Sequence, residues 1–189
     1  MAKLLVIAGS TRTGSLSKQL ARAACGLAQA AGHAATFVDL REFEMPLYDG
    51  DLEAAHGLPE GAVRLRALIL ASEGVLVVTP EYNASLPAVL KNALDWTSRP
   101  HAAEPGVAAW KGKVGALLSS SPGALGGQRA LVHLRQVLMN LGVLVVTEQF
   151  ALGQADKAFA ADGSLVDAKA AASVRAIVER LAHVAARLA

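Results

Sequence analysis

The chain has 189 residues, 53% of them hydrophobic, and a formal net charge of +2. That length suits one domain with a substantial core, spanning residues 1–189, better than two, and no run of Lys or Arg marks a nucleic-acid surface. No apolar run approaches the roughly 18 residues of a membrane span, and the single cysteine, Cys25, excludes an intrachain disulfide and suits a reducing cytoplasm. The N-terminus reads at once as a strand, without the basic, apolar and cleavage segments of a secretory signal.

"LLVIA" (4–8) is an apolar run of strand length. Leu16, Leu20, Ala23, Ala24, Leu27 and Ala31 then recur at helical spacing, and Gly32 stops that helix. "ATFVDL" (35–40) is a second strand. Residues 41–59 carry Pro, Gly and Asp without sustained periodicity and predict a long surface connection. Val63, Leu65, Leu68 and Ile69 return to helical spacing over 60–72. "GVLVVTP" (74–80) is apolar on both faces, as a central strand of a parallel sheet must be. "LPAVLKNALDW" (86–96) predicts a helix with Pro87 in its first turn. "KVGALLSSS" (113–121) and "VLVVTE" (143–148) are the fourth and fifth strands, separated by a helix through Leu131, Leu134, Val137, Leu138 and Leu141. Val166, Ala170, Val174, Ile177, Leu181, Val184 and Leu188 mark a last amphipathic helix.

Strands alternating with helices predict an α/β fold: a five-stranded parallel sheet covered on both faces, in the order 2-1-3-4-5. Ligands of such a sheet bind beyond the carboxyl ends of its strands, where the order reverses. The loops after strands 1, 3 and 4 are therefore the ones to read.

The first, "GSTRTGSLS" (9–17), leads into a helix N-terminus, which offers free amides and a positive dipole end. Ser10, Thr11, Thr13, Ser15 and Ser17 add hydroxyls and Arg12 a charge. This set suits a terminal phosphate monoester; the alternative is a helix merely capped by Ser15 or Ser17. The second, "TPEYNASLP" (79–87), joins a rigid Pro80 to Glu81, an amphipathic Tyr82 and a two-way hydrogen-bonding Asn83. It suits a flat, polar-edged heterocycle, or else is a turn closed by Asn83 and Ser85. The third, "SSSPGALGGQR" (119–129), ends a strand in serines, with Gly123, Gly126 and Gly127 permitting close backbone approach or simple flexibility.

Together, "GSTRTGSLSKQLA", "TPEYNASLPAVLKNALDW" and "SSSPGALGGQRALVHLRQVL" resemble the signatures of the NADPH-dependent FMN reductase family, a flavodoxin-like group with a three-layer sandwich fold that includes bacterial quinone and chromate reductases. The resemblance covers essentially the whole chain. It implies that Ser10, Arg12, Ser15, Leu16 and Ser17 hold the FMN phosphate. Some members carry Asn where this chain has Ser17, which implies a shorter or water-mediated contact there. It further implies that Pro80, Glu81, Tyr82 and Asn83 line the isoalloxazine, with Ser119 and Ser120, and after them Ser121, near the ring's far edge. The implied activity is a ping-pong transfer: hydride from NADPH or NADH to FMN N5, then reduction of a small-molecule acceptor such as a quinone, free flavin, azo or nitro compound, or chromate. A flavodoxin-type electron carrier is the alternative. Against it stand the +2 charge and the 4% of aromatic residues, since carriers tend to be acidic and to sandwich the ring between aromatics. A response regulator would need clustered aspartates at strand ends, and Asp39 alone does not supply them.

No residue is assigned as a catalytic acid or base, and the five histidines show no metal-ligand spacing. His33, His56 and His101 are expected in loops. Cys25 reads as a small buried filler and Trp96 as helix-packing core. Trp110 fits equally a cap over the nicotinamide pocket. The resemblance also implies a homodimer or homotetramer, with Arg129 and Glu148 resembling positions that make intersubunit polar contacts, or else being ordinary surface charges, and with "EMPLYDGDLE" (44–53) bordering the partner's pocket.

Overall fold

The structure, a computed structural model, describes residues 1–188. Ala189, the last residue of the single domain expected from the sequence, lies outside them. Its centre is built from strands that cannot face water on either side. In β1 (Lys3–Ala8), Leu4, Val6 and Ala8 point to one face and Leu5 and Ile7 to the other, and all five are buried. β3 (Gly74–Thr79) and β4 (Val114–Ser120) are buried throughout. With β2 (Ala34–Asp39) and β5 (Leu144–Leu152) they form one parallel sheet in the order β2-β1-β3-β4-β5, as the sequence predicts.

Two cores follow from this alternation. One face of the sheet packs against α1 (Leu16–Ala30) and α6 (Ala168–Leu188), around Leu20, Ala24, Val174 and Leu181. The other packs against α3 (Glu60–Ala71), α4 (Ala88–Thr97) and α5 (Gln128–Asn140), around Leu65, Ile69, Leu90 and Leu134. Each such leucine or isoleucine, fully buried, stabilises the fold by about 1.5–3 kcal/mol. Cys25 lies in the first core, where burial pushes its thiol pKa up. Trp96 is also buried, its indole N–H donating to the Pro46 carbonyl at 2.8 Å.

Three expectations need correction. The 41–59 connection contains a further helix, α2 (Gly50–His56), so His56 ends a helix rather than sitting in a loop. Asp49 caps α2 by accepting the Asp51 amide at 2.8 Å, and Glu53 is held by Arg99 and by the Tyr48 hydroxyl. That helix buries none of its residues, so it carries no periodicity to read. β5 extends to Leu152 because a bulge opposite Gly115 to Leu117 interrupts its pairing, which then resumes through polar Gln149. Trp110 is no lid. It is buried just before β4, at the amino end of the sheet, and its N–H donates to Thr97 Oγ1 at 3.1 Å. Among the described residues, no helix is long and apolar enough to cross a membrane.

Candidate functional site

The carboxyl ends of β1, β3 and β4 lie side by side: Ala8 pairs with Val78, and Thr79 with Ser119. The loops that leave them therefore converge. Gly9 donates its amide to the Val78 carbonyl at 2.8 Å, and a side chain added there would meet Leu90 Cδ2 at 2.9 Å, so Leu90 packs close against the turn out of β1. Ser15 is the N-cap of α1, its Oγ accepting from the Lys18 amide. The amides of Leu16 and Ser17 lie in the first turn, where the helix has no carbonyl for them. That turn contains no acid. Ser10, Ser15 and Ser17 are all buried, while Arg12 is exposed. Ser17 does not cap the helix but meets Ser120 across the sheet end, hydroxyl to hydroxyl at 3.0 Å.

These residues line one cleft of about 120 Å³, with Pro80, Glu81 and Tyr82 on the facing side. Of the predicted site residues, all but Asn83 and Ser119 line it, and Ser121 and Pro122 complete it. The cleft is smaller than the several hundred Å³ that enclose a whole cofactor. It has room for an anion and its attachment, and a larger group would have to extend past Tyr82, which is half exposed. Asn83 and Ala84 form the tip of a tight turn with φ of 50° and 64°, closed by two 3.0 Å backbone bonds between Tyr82 and Ser85. His133 on α5 steadies that turn through Ser85 Oγ at 2.9 Å.

Three residues read from the sequence sit differently from expectation. Ser119 is fully buried beneath Gly127, and its Oγ has no partner among the described residues; a Cβ at Gly127 would lie 3.3 Å from it. Thr11 and Thr13 do not line the cleft, and the Thr13 hydroxyl is taken by Arg41 at 2.8 Å from outside.

Glu81 turns its carboxylate away from solvent onto the start of α5. It accepts the Arg129 amide at 3.0 Å, the Ala130 amide at 3.3 Å and Arg129 Nε at 2.7 Å. Burial pushes the carboxyl pKa up, but these hydrogen bonds outweigh burial and leave it below the ordinary carboxylate value. Arg129 thus has a partner within its own chain, as does Glu148, which faces Arg180 at 3.7 Å.

The donor chemistry fits a phosphate: buried hydroxyls, one guanidinium, a helix start without an acid. Comparison with known proteins places the chain in a family. The NADPH-dependent FMN reductase family matches residues 2–157. A quinone reductase of Pseudomonas putida is 40% identical over 179 residues, 94% of this chain and 91% of its own length. An NAD(P)H-dependent FMN reductase of Pseudomonas aeruginosa is 40% identical over 169 residues, 89% of this chain and 86% of its own. The chain belongs to the NADPH-dependent FMN reductase family. The solved structure of FerB, a flavoenzyme NAD(P)H:(acceptor) oxidoreductase from Paracoccus denitrificans, superimposes with a TM-score of 0.85 at 33% identity, covering 99% of this chain and 98% of that one. An NADPH-dependent FMN reductase of this kind is an enzyme, and its fold is flavodoxin-like.

Sequence reading missed the residues that brace the first loop from behind: Lys18, Asp39 and Arg41. The only signal was an Asp and an Arg two residues apart at the end of a strand predicted to neighbour the first.

Proposed function

We infer that this chain binds FMN and passes electrons from NADPH or NADH to quinones and similar small-molecule acceptors. One observation carries the reading: three buried serines, Arg12 and an acid-free helix start share a cleft with Pro80, Glu81 and Tyr82. Ser10, Arg12, Ser15, Leu16 and Ser17 would hold the phosphate by charge-assisted and helix-end hydrogen bonds. Pro80, Glu81, Tyr82 and Asn83 would border the ring, with Glu81 acting from behind as the tie to α5. Ser120 fixes Ser17 at the junction, and Ser119 lies beneath Gly127. When bound, FMN supplies hydride acceptance at N5 and release of two electrons to the acceptor. The protein supplies position and charge, and none of its side chains is needed as an acid or base.

Purified protein should be yellow, and its flavin absorbance should bleach on anaerobic addition of NADPH or NADH and return with a quinone. A bound flavin that neither donor bleaches would overturn the reductase reading and favour an electron carrier.

A further inference from the structure

The end of β2 grips the first loop from outside the cleft. Parallel pairing sets Asp39 beside Ala8, so the residues leaving β2 run alongside those leaving β1. One Asp39 oxygen takes the Lys18 ammonium at 2.7 Å, and the other accepts the Arg41 amide at 3.0 Å. Lys18 is 3% exposed, so its charge requires this partner, and the pair fixes the first turn of α1. The Arg41 side chain then reaches back over the loop. One Nη donates to Thr13 Oγ1 at 2.8 Å and the other to the Thr11 carbonyl. Those two acceptors bracket Arg12.

Among the described residues, nothing else holds the middle of the loop firmly. Its internal bonds, Arg12 amide to Ser10 Oγ and Ser15 amide to the Arg12 carbonyl, are both 3.3 Å, beyond the usual range. A side chain added at Gly14 would meet no atom within 4 Å. Arg41 itself does not line the cleft.

We propose that Arg41 is a positioning residue for phosphate recognition, fixing Thr11 and Thr13 so that Arg12 and the α1 amides are set for the FMN phosphate before it arrives. The proposal rests on the FMN reading above. A loop ordered in advance binds more tightly because less freedom is lost on binding. The planar guanidinium spans two acceptors at once, which an ammonium cannot do in the same geometry.

Riboflavin carries the same ring as FMN without the phosphate, so it separates this role from a general structural one. Apoprotein of the wild type, Arg41→Ala and Arg41→Lys is titrated with both flavins, following flavin fluorescence, and thermal melts are recorded. Arg41→Ala should weaken FMN on the order of tenfold and leave riboflavin unchanged, with little shift in melting because the side chain is exposed. Arg41→Lys should recover only part of that loss. Equal weakening of both flavins, or no weakening of FMN, would overturn the proposal, and full recovery by Lys would replace positioning with simple charge. Wild-type apoprotein that fails to bind FMN would remove the underlying reading and the proposal with it.

Discussion

Helices α1 and α5 both begin beyond the carboxyl end of a strand, and both follow a loop rich in Ser and Gly. Their first turns treat negative charge in opposite ways. The first turn of α1 has no acid of its own, Ser10, Ser15, Ser17 and Arg12 line the cleft beside it, and the two carboxylates nearby are already paired, Asp39 with Lys18 and Glu81 with Arg129. At α5 the Glu81 carboxylate already takes the amides of Arg129 and Ala130 and pairs with the Arg129 guanidinium. A helix start attracts an anion in either case. The proposed function assigns the first to a ligand, and the second is filled by the protein. Composition does not separate the two loops; accounting for where each amide is satisfied does.

The largest effect should come from the open end. On the proposed FMN reading, Arg12→Ala should remove a charge-assisted contact worth roughly 1.5–3 kcal/mol, which is about ten- to a hundredfold in FMN affinity. Because Arg12 is exposed, stability should move by less than about 0.5 kcal/mol. Fluorescence titration of apoprotein reads the first and a denaturant curve the second. Unchanged FMN affinity would break the comparison, since α1 would then not be the phosphate end.

The filled end should show the reverse. Glu81→Gln removes the charge that α5 binds and should lower stability at neutral pH by about 1 kcal/mol. The pH dependence has a definite sign. The Glu81 pKa is depressed in the folded protein, so its contribution is complete above the unfolded value of about 4.3 and is lost as pH falls through the lower folded value. Other depressed carboxyls, such as Glu53 held by Arg99, are common to both proteins and cancel in the difference. The gap between wild type and Glu81→Gln should therefore be widest near pH 7 and close toward pH 3 in thermal melts. A gap that stays constant with pH would show that the carboxylate charge is not what α5 binds.

Much of this arrangement was legible in the sequence because it is local. Strands 1, 3 and 4 announce themselves as two-sided apolar runs, and the loops after them hold their chemistry in a few consecutive residues. What escaped depends on contacts distant in sequence. Glu81 meets Arg129 only because β3 and β4 are neighbours, and Arg41 meets Thr13 only because β2 and β1 are. Trp110 was ambiguous for the same reason: the sequence shows a tryptophan near a loop, but not which end of the sheet that loop occupies. Helix α2 hid because its support is Arg99 and Tyr48 rather than a buried stripe.

The smallest effect lies between the two helix starts, in the turn that follows Glu81. Both tip residues are left-handed, with φ of 50° at Asn83 and 64° at Ala84. That is the pattern of a type I′ turn, which asks for Asn or Gly at both positions. Asn83 meets the demand. Ala84 does not, and an alanine held there costs about 1 kcal/mol in contact between its Cβ and the backbone. The contrast with Gly127 is direct: at the start of α5 a φ of 87° is met by a residue with no Cβ. Ala84→Gly should therefore stabilise the protein by about 0.5–1 kcal/mol, the relief of strain being partly offset by the greater freedom of glycine in the unfolded chain. The measurement is a urea midpoint that rises at unchanged m-value. A midpoint that falls would mean that the turn holds Ala84 without strain, and that the tightness of this loop comes from the Glu81 tie to α5 alone.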